Sequence, residues 1–280
     1  MSRCNTCFRH CEIKEGGLGF CGARTCKDGI VKAENYGLVT SVALDPIEKK
    51  PLYHFYPGSK ILSVGSYGCN LHCPFCQNDE ISWSERAYRY ANTAEYLSPE
   101  ELTEMAIQLK PRGNIGVAFT YNEPLIGWEY VLDTAKLIRA AGMKNVIVTN
   151  GTAELSVLEK LAPYIDSMNI DIKGFTDEYY RDLLKGDRQT VMEFIEAAAK
   201  VCHIELTTLV IPNENDSKSE MRELSSWIAG LDGKGEIPYH ISRFFPCFHM
   251  TDRAATDIGK VYRLAEVARE KLKYVYTGNC

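Results

Sequence analysis

From residue 61 onward, short apolar runs rich in β-branched residues alternate with longer segments in which apolar positions recur every three or four residues. The short runs are ILSVGS (61–66), IGVAFT (115–120), NVIVT (145–149), DSMNIDI (166–172), HIELTTLVI (203–211) and PYHIS (238–242). The helical segments are SPEELTEMAIQL (98–109), IGWEYVLDTAKLIRAAG (126–142), TAELSVLEKLAPY (152–164), TVMEFIEAAAKV (190–201), SKSEMRELSSWIAG (217–230) and ATDIGKVYRLAEVAREKL (255–272). The first helix carries its own start signal: Ser98 as N-cap, Pro99 at the first helical position, and Glu100 and Glu101 where the helix dipole favours negative charge. A last apolar run, KYVYT, closes the chain.

Six strands alternating with helices predict parallel βαβ units wound in one hand. No G-x-G-x-x-G follows a strand, which disfavours a Rossmann arrangement. The expected fold is α/β, a partial (βα)6 TIM-like barrel left open on one side, with ligand chemistry at the C-terminal ends of its strands. Residues 1–60 do not share this rhythm. They are expected to form a cysteine-rich N-terminal extension, with a short antiparallel hairpin about Tyr36 and Gly37, packed against a core barrel of residues 61–280.

Charge and composition narrow the partners. A net charge of -5 with scattered Lys and Arg argues against nucleic acid. No stretch approaches the roughly 20 apolar residues of a membrane span, and the N-terminus lacks the apolar core of a signal peptide, so a cytoplasmic protein is expected. Eleven cysteines make a poor disulfide framework in a reducing compartment. Five of them lie in the first 26 residues, and three more fall in GCNLHCPFCQN, residues 68–78. Cys202, Cys247 and Cys280 stand alone and read as packing residues.

Cys69, Cys73 and Cys76 are spaced C-x3-C-x2-C, three thiols and not four. A structural zinc site closes its tetrahedron with four protein ligands. Three cysteinates on a cubane iron-sulfur cluster instead leave one iron free to bind something else. His72 is the alternative fourth ligand, which would turn the loop into a zinc site. Near the N-terminus, Cys4, Cys7, Cys11 and Cys21 supply four thiols at C-x2-C-x3-C-x9-C, suited to a second centre holding zinc or an auxiliary cluster, with Cys26 as a substitute ligand.

A C-x3-C-x2-C loop after the first strand of such a barrel resembles the radical S-adenosylmethionine (SAM) superfamily. Within it, DPIEKKPLYHFYPGS, GCNLHCPFCQN, TYNEP, VTNGT, NIDIKG, TLVIPNEND, HISRFFPCFHMTD and YVYTGN resemble the activating enzymes of glycyl radical enzymes, such as those for pyruvate formate-lyase, and most of all the radical enzyme of the AmmeMemoRadiSam system. The resemblance implies a [4Fe-4S] cluster on Cys69, Cys73 and Cys76, with SAM chelated to the open iron. It implies reductive cleavage of SAM to methionine and a 5'-deoxyadenosyl radical that takes hydrogen from a protein or a small molecule. A flavodoxin or ferredoxin is the expected electron donor, and a protein substrate or system partner the expected macromolecular contact. A zinc-binding scaffold without enzymatic activity is the competing reading.

Site residues follow motif by motif. Thr120, Asn122 and Glu123 match the turn that binds the SAM amino group; its two glycines are absent here, which leaves the Glu123 carboxylate as the expected contact. Thr149 and Asn150 end the third strand, and Asp171 with Lys173 matches the Asp-Leu-Lys element of the activases. Val148 replaces an acidic residue that helps those enzymes hold a monovalent cation. Val210 and Pro212 are expected against the adenine, with His240 and Arg243 at the end of the sixth strand. Residues 45–59 combine Asp45, Glu48, Lys49 and Lys50 with Tyr53, Phe55 and Tyr56. They either border the gap in the barrel and grip a partner, or cover its bottom.

Overall fold

The computed structural model describes residues 1–85, 87 and 93–280. Its centre is one eight-stranded sheet. In chain order the strands are β1 (Ser41–Pro46), β2 (Lys60–Gly65), β3 (Asn114–Phe119), β4 (Lys144–Thr149), β5 (Ser167–Asp171), β6 (His203–Val210), β7 (Tyr239–Arg243) and β8 (Val275–Gly278). Strands β2 to β8 pair in sequence order and all in parallel, and β1 adds antiparallel to β2. The sheet therefore ends at β1 on one side and β8 on the other, and the curved layer is open between them.

All six strands expected from the hydrophobic pattern are present, and the sheet gains one strand at each edge. KYVYT supplies β8, and the N-terminal extension supplies β1. The expected hairpin about Tyr36 and Gly37 is not there. Arg24–Lys27 and Ile30–Ala33 form it instead, around Asp28 and Gly29, both at positive φ (54° and 72°) as a tight two-residue hairpin turn requires. Leu38–Val39 pairs with Glu95–Tyr96, and a Cβ at Gly37 would stand 2.5 Å from the Tyr96 ring.

Helices α1 (Pro99–Gln108), α2 (Trp128–Ala140), α3 (Leu155–Leu161), α4 (Arg188–Ala198), α5 (Lys218–Asp232) and α6 (Ile258–Arg269) follow the strands as the pattern predicts. Ser98 and Glu101 close a reciprocal capping box on α1. α3 is shorter than its pattern because the residues before it are otherwise engaged: Glu154 donates its N–H to Thr6, and Ala153 bridges to Cys7. Strand alternation sorts the core. Val117, Phe119, Ile147 and Ile170 face the helices in the main cluster, while Ala118 and Val146 point into the lumen and meet Ile47, Leu52, Phe55 and Ile61.

The lumen is thus filled from below by residues 47–55. Its polar inward positions satisfy the backbone of that loop: Asn169 donates to the Pro51 carbonyl (2.9 Å), and Glu205 accepts from the N–H groups of Tyr53 (3.0 Å) and His54 (2.7 Å). Among the described residues no helix is long and apolar enough to cross a membrane.

Candidate functional site

The C-terminal ends of the strands enclose a cavity of 590 Å³. Cys69, Cys73 and Cys76 all line it, as do Thr120, Asn122, Glu123, Thr149, Asn150, Asp171, Lys173 and His240. Each strand end delivers its residues because the chain must turn there from sheet to helix, exposing side chains that the pleat would otherwise bury.

The cysteine loop is held by its backbone. Gly68 has φ 93°, and a Cβ there would lie 2.7 Å from both Ala23 and the Cys21 carbonyl, so no larger residue fits. Asn122 clamps the approach: its amide donates to Gly68 O (3.1 Å) and Tyr67 O (3.2 Å), and its oxygen accepts from Ser66 N (3.0 Å). Cys69 receives the Asn150 amide at 3.7 Å, and the Trp83 indole donates to the Cys73 carbonyl at 3.2 Å. Burial pushes the Cys73 thiol up to about 12 against the pull of Lys173, and burial together with Glu123 pushes Cys69 up as well. Such thiols give up their protons when a metal takes the proton's place.

Glu123 ties two strand ends together. Only 3% exposed, it accepts from Thr149 Oγ1 (2.7 Å), Asn150 N (2.8 Å) and Leu125 N (3.0 Å). Burial nevertheless raises it to about 7. Across the cavity Lys173 Nζ and Asp171 Oδ2 are 2.7 Å apart. Burial opposes the Lys173 charge, but Asp171 and Cys73 outweigh it and the ammonium is held protonated.

Other expected residues fall elsewhere. Val210 is fully buried and outside the cavity lining, because strand alternation turns Thr207 and Leu209 inward and Val210 toward the helices. Pro212 is also outside the lining; its carbonyl accepts from Arg253. Arg243 donates to the Thr256 carbonyl and lies over the Phe245 ring, away from the cavity. His240 reaches the cavity wall but is tied to Glu205 (2.7 Å), with Tyr53 edge-on at 4.7 Å. His72 is no fourth ligand. Its ring is stacked between Phe20 (3.9 Å) and Trp83 (4.4 Å), outside the cavity, and burial beside Arg9 lowers it to about 4. Cys26 belongs to the same small buried cluster as Cys4 and Cys11, and its thiol donates to Glu15 (3.6 Å).

Residues 45–59 cover the bottom of the barrel, one of the two roles expected of them, and also reach the cavity. Glu48, Lys49, Pro51 and Tyr53 line the cavity, while Ile47, Leu52 and Phe55 fill the floor. Two contributors went unseen in the sequence. Tyr121 lines the cavity at φ 74° and donates to Asp45 (2.8 Å), and Glu205 anchors the floor. A tyrosine inside a turn motif and a lone acid within an apolar strand run were their only signals.

Among the described residues no group of His, Cys, Asp or Glu is already gathered around one metal position, so the donor set itself carries the fit: three thiols on one loop, Cys73 buried and Cys69 and Cys76 half-buried, lining a roomy cavity that also holds the protonated amine of Lys173. The family model for the radical SAM superfamily matches residues 63–225. The chain belongs to the radical SAM superfamily. An uncharacterized protein of Methanocaldococcus jannaschii is 40% identical over 99% of this chain and 81% of its own length. The pyruvate formate-lyase-activating enzyme of Clostridium pasteurianum is 26% identical over 62% of this chain and 72% of its own. Among solved structures, Streptococcus suis SuiB aligns with TM-score 0.57 at 16% identity over 77% of this chain; the chain spans 48% of SuiB, so this likeness speaks to the fold alone. As a radical SAM protein the chain is a radical enzyme of the oxidoreductase type, and the family implies a [4Fe-4S] cluster and bound SAM.

Proposed function

We propose that this protein cleaves SAM reductively and passes the resulting radical to a protein or peptide substrate, as an activating enzyme does. The observation that carries the reading is the placement of Cys69, Cys73 and Cys76 on one wall of a 590 Å³ cavity whose other walls present Glu123, Asp171 and Lys173. When bound, the cluster and SAM supply the electron transfer and the 5'-deoxyadenosyl radical. The chain does the rest. The three cysteines hold the cluster. Glu123 accepts from the SAM amino group, and Lys173, with Asp171 as its counter-ion, meets the carboxylate. Leu71 and Phe75 on the cysteine loop keep that wall apolar and exclude water. A flavodoxin or ferredoxin delivers the electron in the cytoplasm.

A protein substrate is favoured over a small molecule by the open side of the sheet, where Glu48 and Lys49 from the segment after β1 and Gly278 and Asn279 at the end of β8 flank the same cavity. Relatives named as pyruvate formate-lyase-activating enzymes support this choice. The test uses anaerobic, reduced enzyme with SAM, and measures 5'-deoxyadenosine after adding either the protein fraction or the ultrafiltrate of a host lysate. Stimulation by the protein fraction supports the reading. Stimulation by the ultrafiltrate alone replaces it with a small-molecule enzyme, and no cleavage under any condition removes it.

A further inference from the structure

Cys4, Cys7, Cys11 and Cys21 play no part in the cavity chemistry, yet the fold brings them together. All four line one enclosed cavity of 10 Å³, about the room of a single water-sized sphere. Two cationic side chains, Arg9 and Arg24, line the same cavity. Arg24 is 5% exposed, and its buried Nε has no hydrogen-bond partner, although its Nη1 pairs with Glu129 at 2.7 Å. A buried guanidinium N–H left without an acceptor beside four thiols is costly unless those thiols become anions.

We propose that these four cysteines bind one zinc ion, and that the zinc braces the loop bearing Cys69. Four neutral thiols take up Zn²⁺ and release four protons, leaving a zinc tetrathiolate of net charge -2 that Arg9 and Arg24 face. The small cavity suits one ion and leaves no space for a cubane. The thiols do not yet surround a common point, so binding includes their turning inward.

The bracing follows from what the knuckles touch. The Cys21 carbonyl accepts from Cys69 N at 3.3 Å. Arg9 Nε donates to the Asn70 carbonyl at 2.8 Å and also reaches the Lys185 carbonyl, while its guanidinium lies 3.3 Å from the Phe20 ring centroid. Thr6 accepts from Glu154 N at 3.0 Å, beside the Asn150–Thr152 turn, and Thr152 in turn accepts from the Asn70 amide at 2.7 Å. Fixing the first 21 residues therefore fixes the backbone on both sides of Cys69.

The zinc claim stands apart from the radical SAM reading, and the bracing claim rests on it; the experiment separates the two. The full chain with Cys69, Cys73 and Cys76 all replaced by Ala removes the first thiol set and leaves the second intact. Elemental analysis should find about one zinc per chain and no iron, and cobalt substitution should give the visible bands of a tetrahedral thiolate site. Cys11→Ser, at a half-buried position, should cut zinc more than about tenfold, while Cys26→Ser should keep it. Iron in place of zinc, or no metal with four free thiols, would overturn the site. For the brace, hydrogen exchange of the 66–72 backbone should speed up about tenfold when zinc is removed from the otherwise unaltered chain. Unchanged exchange there would overturn the brace and leave the site.

Discussion

The lumen of the sheet holds a buried glutamate at each end, and the two behave in opposite ways. At the rim, Glu123 accepts three hydrogen bonds from neutral donors, and burial still raises it to about 7. At the floor, Glu205 is just as buried, which by itself would raise it, but His203, His240 and the N–H groups of Tyr53 and His54 bring it down to about 2. The floor supplies Glu205 with every partner a carboxylate takes, and so reads as architecture. The rim leaves Glu123 short of a partner beside a cavity, and under the proposed function that partner is the amino group of SAM. Unmet demand marks the site; satisfied demand marks the scaffold.

The largest effect should come from breaking the rim. Cys73→Ala removes a proposed cluster ligand, and both iron content and 5'-deoxyadenosine formation should fall by more than about a hundredfold, beyond what outer-shell partners typically cost. The far-ultraviolet circular dichroism should be unchanged, because the strands that frame the loop are paired without it. Cleavage at the ordinary rate in this variant would dissolve the distinction between rim and floor.

At the floor the expected loss is stability instead of chemistry. Glu205 falls from an ordinary value of 4.5 to about 2, so its contribution is present above pH 4.5 and disappears as pH falls toward 2. Glu205→Gln should lower stability at pH 7 by about 2–3 kcal/mol, measured by urea unfolding, and should flatten the acid limb in that window. A variant that keeps the full acid limb would assign it to other carboxylates.

Asp171 and Lys173 sharpen the comparison because their ion pair stands at the rim with a 2.7 Å contact and side chains 32% and 19% exposed. Asp171→Asn or Lys173→Met should weaken SAM binding about tenfold by calorimetry, close to 1.4 kcal/mol, without changing the iron content. Equal binding would make the pair a solvated neighbour of the cavity and nothing more.

How much of this was legible beforehand follows from the same division. The repeating βα pattern is a property of local periodicity, so all six central strands could be read from sequence. The cysteine loop and the strand-end motifs were legible because chemistry demands residue types that the core would not choose. The edges were not. β1 lies in a segment whose alternation fits a hairpin equally well, and only its pairing with β2, from Ser41 opposite Gly65 to Pro46 opposite Lys60, reveals it as sheet. Val210 was misplaced by one residue of strand register, which carries a side chain from the cavity to the helix face. His72 stays an alternative ligand in the sequence because ligand type is visible there and ring stacking is not.

The smallest effect belongs to Lys49, where rim and floor meet. It sits on the loop that fills the lumen, yet its side chain is 67% exposed, lines the cavity, and reaches Asp45 only at 3.4 Å. Asp45 is already served by buried Lys50 at 2.9 Å and by Tyr121 at 2.8 Å, so losing Lys49 leaves no carboxylate unpaired. An exposed pair of this kind contributes about 0–1 kcal/mol to stability. Lys49→Ala should therefore leave the melting temperature and substrate-free SAM cleavage unchanged. If the open side of the sheet admits the substrate, turnover on that substrate should drop about fivefold through KM, since the ammonium stands at the mouth and not at the reacting atoms. His54 makes the matching control: its ring nitrogen bonds Tyr276 Oη at 2.6 Å and its ring packs on Tyr274 at 4.4 Å, so His54→Ala should lower stability first. Unchanged KM in Lys49→Ala would assign the whole of residues 45–59 to the floor.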